Sequence, residues 1–123
     1  AFKANTGDTR ESPAIKICRE LYAEKADIVI SDPKALDNAK NDLIDLENIK
    51  YEQDPYKASK EADAIAILTD WNEYKDLDYK KIYDGMRKPA FIFDGRNFLD
   101  HHFLFNIGYE VYSIGKGHQS HLD

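Results

Sequence analysis

A single cysteine stands among the 123 residues, so no disulfide can form within the chain. Apolar runs are short: none approaches the roughly 20 residues of a membrane span, and no signal-peptide pattern opens the sequence. Basic side chains are the minority, 17 against 23 acidic, and the net charge of −6 argues against a general nucleic-acid or anionic-membrane binder. Any anionic ligand must then be held by a few local cations. Glycine and proline number only six and four, and no internal repeat, long linker or low-complexity block interrupts the chain. These features fit a cytoplasmic protein of one domain, long enough to bury a core without disulfides or metals.

What is present begins at the first residue. Ala1 to Pro13 reads as the end of a strand, a loop and a capped helix, with no initiator Met, so the chain is expected to be a piece of a longer protein. Ser12 suits a helix N-cap and Pro13 the first helical turn, where a missing N–H costs nothing. Arg10 adds a full charge beside that helix start, where a phosphate-bearing ligand is favoured; a solvated Arg beside a capped helix fits the segment equally well.

Strand-like and helix-like segments then alternate. A helix from Pro13 places Ala14, Ile17, Cys18, Leu21 and Tyr22 on one stripe, and Ala26–Ile30 reads as a strand. Further helices are expected over Ala35–Leu46, Pro55–Glu61, Asp78–Met86 and His101–Ile107, the last ended by Gly108. Strands are expected near Ile49–Tyr51, over Ala90–Phe93 and Tyr109–Ile114, and over Ala64–Leu68, whose apolar run suits a central parallel strand. With short connections, the pattern predicts an α/β, doubly wound, mainly parallel six-stranded sheet with helices on both faces, Rossmann-like in layout. Residues 116–123 lack a core pattern and read as a flexible tail.

In such sheets ligands bind beyond the carboxyl ends of the strands. That rule singles out Phe2-Lys3, Asp32, Thr69-Asp70-Trp71 and Asp94-Gly95-Arg96. Asp32 before Pro33 is better read as a turn or cap than as a ribose ligand. Arg96 as a loop residue paired with Asp94 or Asp100 is the plain alternative to a ligand contact. No G-x-G-x-x-G opens the first helix, so no dinucleotide is expected by that fingerprint. His101 and His102 are adjacent on a helix and diverge by about 100°, so they cannot share a metal, and no metal site is expected. Trp71 and Tyr74 suit packing over a sheet edge or a domain boundary.

Three stretches carry a family likeness: Phe2-Lys3 through Thr6-Gly7-Asp8-Thr9-Arg10-Glu11-Ser12-Pro13, the turn Thr69-Asp70-Trp71, and Phe91-Ile92-Phe93-Asp94-Gly95-Arg96. With the Gly108 to Lys116 ending, they resemble the carboxy-terminal UDP-binding domain of the UDP-glucose/GDP-mannose dehydrogenase family, in its UDP-glucose branch. The likeness runs in order from residue 1 to about 116 and implies a UDP-binding domain over 1–115. It also implies a parent with an amino-terminal NAD-binding domain and a central dimerisation segment, hence a homo-oligomer. Such a parent oxidises the C6 alcohol of UDP-glucose to UDP-glucuronate in two hydride transfers, through a thiol adduct on a Cys upstream of this domain. By the resemblance, Phe2, Lys3 and Arg96 contact the nucleotide-sugar, and Arg10 reaches the NAD. None of the chain's residues is implied to be catalytic, and the piece alone is expected to be inactive. Cys18, mid-helix on an apolar stripe, reads as a structural thiol.

Two alternatives have distinct signatures. The same domain serves GDP-mannose and UDP-N-acetylmannosamine dehydrogenases, whose sugar-reading residues lie mostly outside this piece. A non-catalytic α/β binding module is the more distant one. A phosphate-accepting receiver domain is disfavoured, because the first strand ends in Phe2-Lys3 instead of an acid and Lys88-Pro89 precedes its strand.

Overall fold

A computed structural model describes residues 13–113, the strand backbone of 116–119 and residue 121. The chain divides into two compact units, residues 1–58 and 59–123. Phe2, Lys3, Arg10 and the strand expected at the start lie outside the described residues.

In the first unit, α1 (Pro13–Ala23) precedes β1 (Val29–Ile30), α2 (Leu36–Asp42), β2 (Lys50–Tyr51) and the single turn α3 (Pro55–Ala58). β1 and β2 pair in parallel, Val29 with Lys50 and Ile30 with Tyr51. Ala39 of α2 and Leu43, the residue that caps its carboxyl end, are buried on one side, four residues apart. The α1 stripe is less covered than expected: no α1 residue is fully buried, and Leu21 is 43% exposed. Arg19, on the polar side of that helix, donates from both terminal nitrogens to Asp45, each at 2.9 Å, and from one of them to the Asp42 carbonyl at 2.6 Å. Asp32 closes a turn, its Oδ1 accepting from the backbone N–H groups of Lys34 and Ala35 at 2.9 and 2.8 Å.

The second unit is built on a four-stranded sheet, ordered β3 (Ala64–Ile67), β4 (Phe91–Asp94), β5 (Glu110–Ser113), β6 (Lys116–Gln119). The first three are parallel, with Ile67, Asp94 and Ser113 in register at their carboxyl ends, and β6 returns antiparallel. A 3₁₀ turn (Asn72–Lys75) and α4 (Tyr79–Gly85) link β3 to β4, and α5 (His101–Ile107) links β4 to β5. Both helices start on an aspartate cap: Asp78 accepts from the Lys81 N–H and Asp100 from the Phe103 N–H, each at 3.1 Å. Gly108, at φ 134°, ends α5 where the sequence placed its stop. Ile92, Val111, Leu104, Ile82, Met86 and Tyr109 form the core of this unit. The Tyr109 hydroxyl, fully buried, donates to the Tyr79 carbonyl at 2.7 Å, and burial pushes its pKa far above the ordinary tyrosine value.

The expected single six-stranded sheet is corrected: the described strands form two sheets, of two and four strands. Periodicity reveals that a strand exists but not what it pairs with, and β1 and β2 bring only two residues each to a ladder. Among the described strands, β3 is paired on its β4 side, with Ala64 and Ala66 exposed, and β4 and β5 each have two neighbours. The α/β character with parallel pairing stands. Lys116–Gln119, read from sequence as the start of a tail, pairs with β5.

Candidate functional site

The carboxyl ends of β3 and β4 bring together Thr69, Asp70, Trp71, Asp94, Gly95 and Arg96, the positions that the strand-end rule selected in this unit. Thr69 and Trp71 are buried, 5% and 4% exposed, and fix the segment after β3. Gly95 allows the loop after β4 to press against that corner. Its N–H donates to the Ile67 carbonyl at 2.8 Å, and a Cβ here would lie 3.1 Å from the same oxygen. The close approach is to the protein's own backbone.

Asp94, the last residue of β4, is 0% exposed. Its Oδ1 accepts the Arg96 N–H at 3.1 Å, and its Oδ2 accepts the N–H groups of Phe98 and Leu99 at 2.9 and 2.8 Å. The fourth donor is His101 Nε2, 2.8 Å from Oδ2. With one donor on Oδ1 and three on Oδ2, neither oxygen of this buried carboxylate lacks a partner. Burial alone would raise the Asp94 pKa, but the Leu99, His101 and Arg96 donors outweigh it and hold the carboxyl below its usual range. Because an ionised carboxylate only accepts, the imidazole hydrogen at this contact sits on Nε2.

Arg96 stands on this clasped loop. Its guanidinium lies 3.6 Å from Asp70 Oδ2, with the two side chains 33% and 41% exposed. Neither Asp94 nor Asp100 is its ion-pair partner at that contact; Asp94 takes the Arg96 backbone N–H instead. A pair at this distance and exposure contributes little by itself, about 0–1 kcal/mol. The corner therefore offers a cation on a fixed backbone, beside the ends of parallel strands.

A profile of the UDP-glucose/GDP-mannose dehydrogenase family, UDP binding domain, matches residues 1–101. The chain belongs to the UDP-glucose/GDP-mannose dehydrogenase family. Among its relatives, UDP-glucose 6-dehydrogenase 1 of Arabidopsis thaliana is 46% identical over 94% of this chain, and UDP-glucose 6-dehydrogenase 3 of Oryza sativa subsp. japonica is 47% identical over the same share. UDP-glucose 6-dehydrogenase 1 of Glycine max is 44% identical, again over 94% of the chain. The chain spans 28% of the length of each.

Within this family frame, Arg96 is the one resemblance-assigned position among the described residues. Asp94 and His101 were not selected as a pair by sequence reasoning, which weighs His101 only beside His102. The signal lies in an Asp ending a strand and a His seven residues on, at the first position of a helix. Among the described residues, no three His, Cys, Asp or Glu side chains converge as a metal site, and no helix is long and apolar enough to cross a membrane. Cys18 is half-buried, and desolvation raises its thiol pKa, the opposite of what a thiolate nucleophile requires.

Proposed function

We propose that the parent of this chain is an NAD-dependent dehydrogenase that oxidises UDP-glucose to UDP-glucuronate in two hydride transfers, and that this domain supplies part of its nucleotide-sugar site. The observation that carries the reading is Arg96: a part-exposed guanidinium at the carboxyl end of β4, on a loop clasped by a buried carboxylate. The names of the relatives favour the UDP-glucose branch over its sister sugars.

In this reading Arg96 holds an anionic or hydroxyl-bearing part of the nucleotide-sugar by charge-assisted hydrogen bonds. By the resemblance, Phe2 and Lys3 are also assigned to the nucleotide-sugar and Arg10 to the cofactor, and the parent acts as a homo-oligomer. The hydride acceptor, when bound, is NAD. Among the described helix starts none follows a G-x-G-x-x-G turn, so that cofactor is assigned mainly to the rest of the parent. The nucleophilic thiol is assigned there too, since the one cysteine here is shifted toward its neutral form. The 123 residues alone therefore give no turnover.

The test is Arg96→Ala in the complete parent. Loss of one shielded contact to a charged group lowers kcat/KM for UDP-glucose by about 10- to 100-fold. An unchanged kcat/KM removes Arg96 from the site.

A further inference from the structure

The loop between β4 and α5 is held more firmly than a connection of its length requires. α5 already has its cap in Asp100, which accepts from the Phe103 N–H. Asp94 is therefore not needed to start the helix, and its acceptor capacity goes to the loop: the Arg96, Phe98 and Leu99 N–H groups and the His101 ring. The Asp94 carbonyl also accepts from Asn97 N–H at 3.4 Å, with Asn97 at φ 55°, a left-handed conformation that asparagine tolerates. Gly95 fastens the other side of the turn to the Ile67 carbonyl. The Arg96 backbone is thus fixed from both sides while its side chain reaches a part-exposed position beside Asp70.

A completely buried carboxylate is a costly element unless its donors are all present. It repays that cost where a small displacement matters, and the group displaced here would be Arg96. We propose that Asp94 and His101 are positioning residues for substrate binding: together they clasp the 95–99 loop and hold Arg96 where it meets the nucleotide-sugar. His101 is the outer half of the clasp. Its side chain is 12% exposed, and it ties Asp94 Oδ2 to the first turn of α5 at 2.8 Å. Pre-ordering the cation in this way removes an entropic cost from ligand binding. The inference rests on the assignment of Arg96 made above.

The experiment uses the complete parent enzyme, with KM and kcat for UDP-glucose measured for Asp94→Asn, His101→Ala and His101→Gln, each alone and combined with Arg96→Ala. Asp94→Asn raises KM about fivefold with kcat little changed, because the interaction is shared by ground and transition states. His101→Ala raises KM about threefold, and His101→Gln, which keeps an N–H donor, recovers most of it. In the Arg96→Ala background all three changes fall below about 1.5-fold, since no guanidinium is left to place. Equal effects with and without Arg96 overturn the inference and leave the clasp a stabilising feature only. Should Asp94→Asn not fold, the two His101 variants carry the same comparison. A wild-type KM for Arg96→Ala overturns the substrate assignment of Arg96, and the positioning role with it. Hydrogen exchange then reads the clasp separately: in Asp94→Asn the Phe98 and Leu99 amides exchange about tenfold faster, and unchanged exchange overturns the clasp itself.

Discussion

Replacing Gly95 with alanine sets two opposing effects against each other at the corner that carries Arg96. The backbone at Gly95 is not in the left-handed region, so alanine meets no torsional barrier and reduces the freedom of the unfolded chain, a gain of about 0.4–1 kcal/mol. Against this, the new Cβ lies 3.1 Å from the Ile67 carbonyl oxygen, 3.2 Å from Leu68 Cδ2 and 3.3 Å from Phe93 Cε1. The leucine methyl can give way. The Ile67 oxygen cannot, because it ends β3 and accepts the Gly95 N–H at 2.8 Å. Relief must come from the loop, at an overpacking cost of about 1–3 kcal/mol. At the middle of these ranges the balance is a net destabilisation of about 1.3 kcal/mol. Urea unfolding of the chain should show a lower midpoint with an unchanged slope. A variant as stable as the wild type would refute the reasoning, because it would mean that the corner is looser than its contacts indicate.

Gly108→Ala should cost more, about 2–4 kcal/mol, since φ is +134° and the Cβ would meet Tyr83 Oη at 2.5 Å; Tyr83 is itself packed edge-on to Tyr109 at 5.2 Å. A urea midpoint closer to wild type than that of Gly95→Ala would contradict this order. Stability should also fall in acid through Asp94. Its folded pKa is depressed, so the unfolded chain takes up the proton first; the contribution is complete above the unfolded value of about 3.9 and is lost as pH falls through the folded value. The stability gap between wild type and Asp94→Asn should therefore narrow below about pH 4, and a gap constant from pH 6 to 3 would show that the carboxylate is not the stabilising group.

The second unit was more legible than the first. α5 begins and ends where Asp100 and Gly108 dictate, because caps and stops are local chemistry that a sequence displays directly. Strand pairing is not local, and the division of the described strands into two sheets left no trace in the alternation of apolar residues. β6 was missed for a related reason: Lys116-Gly117-His118-Gln119 has no apolar period, and a backbone ladder requires none. At the site, Gly95 and Arg96 were visible from their place just after a strand. The Asp94–His101 contact was not, since residues seven apart meet only once Asn97 adopts its positive φ and the turn closes.

The most direct measurement is NADH formation by the complete parent with UDP-glucose, GDP-mannose and UDP-N-acetylmannosamine supplied separately. The account predicts about two NADH per UDP-glucose consumed, one for each hydride in the oxidation of an alcohol to a carboxylate, and little from the other two sugars. A preference for either of the others, or no NADH from any, would contradict it.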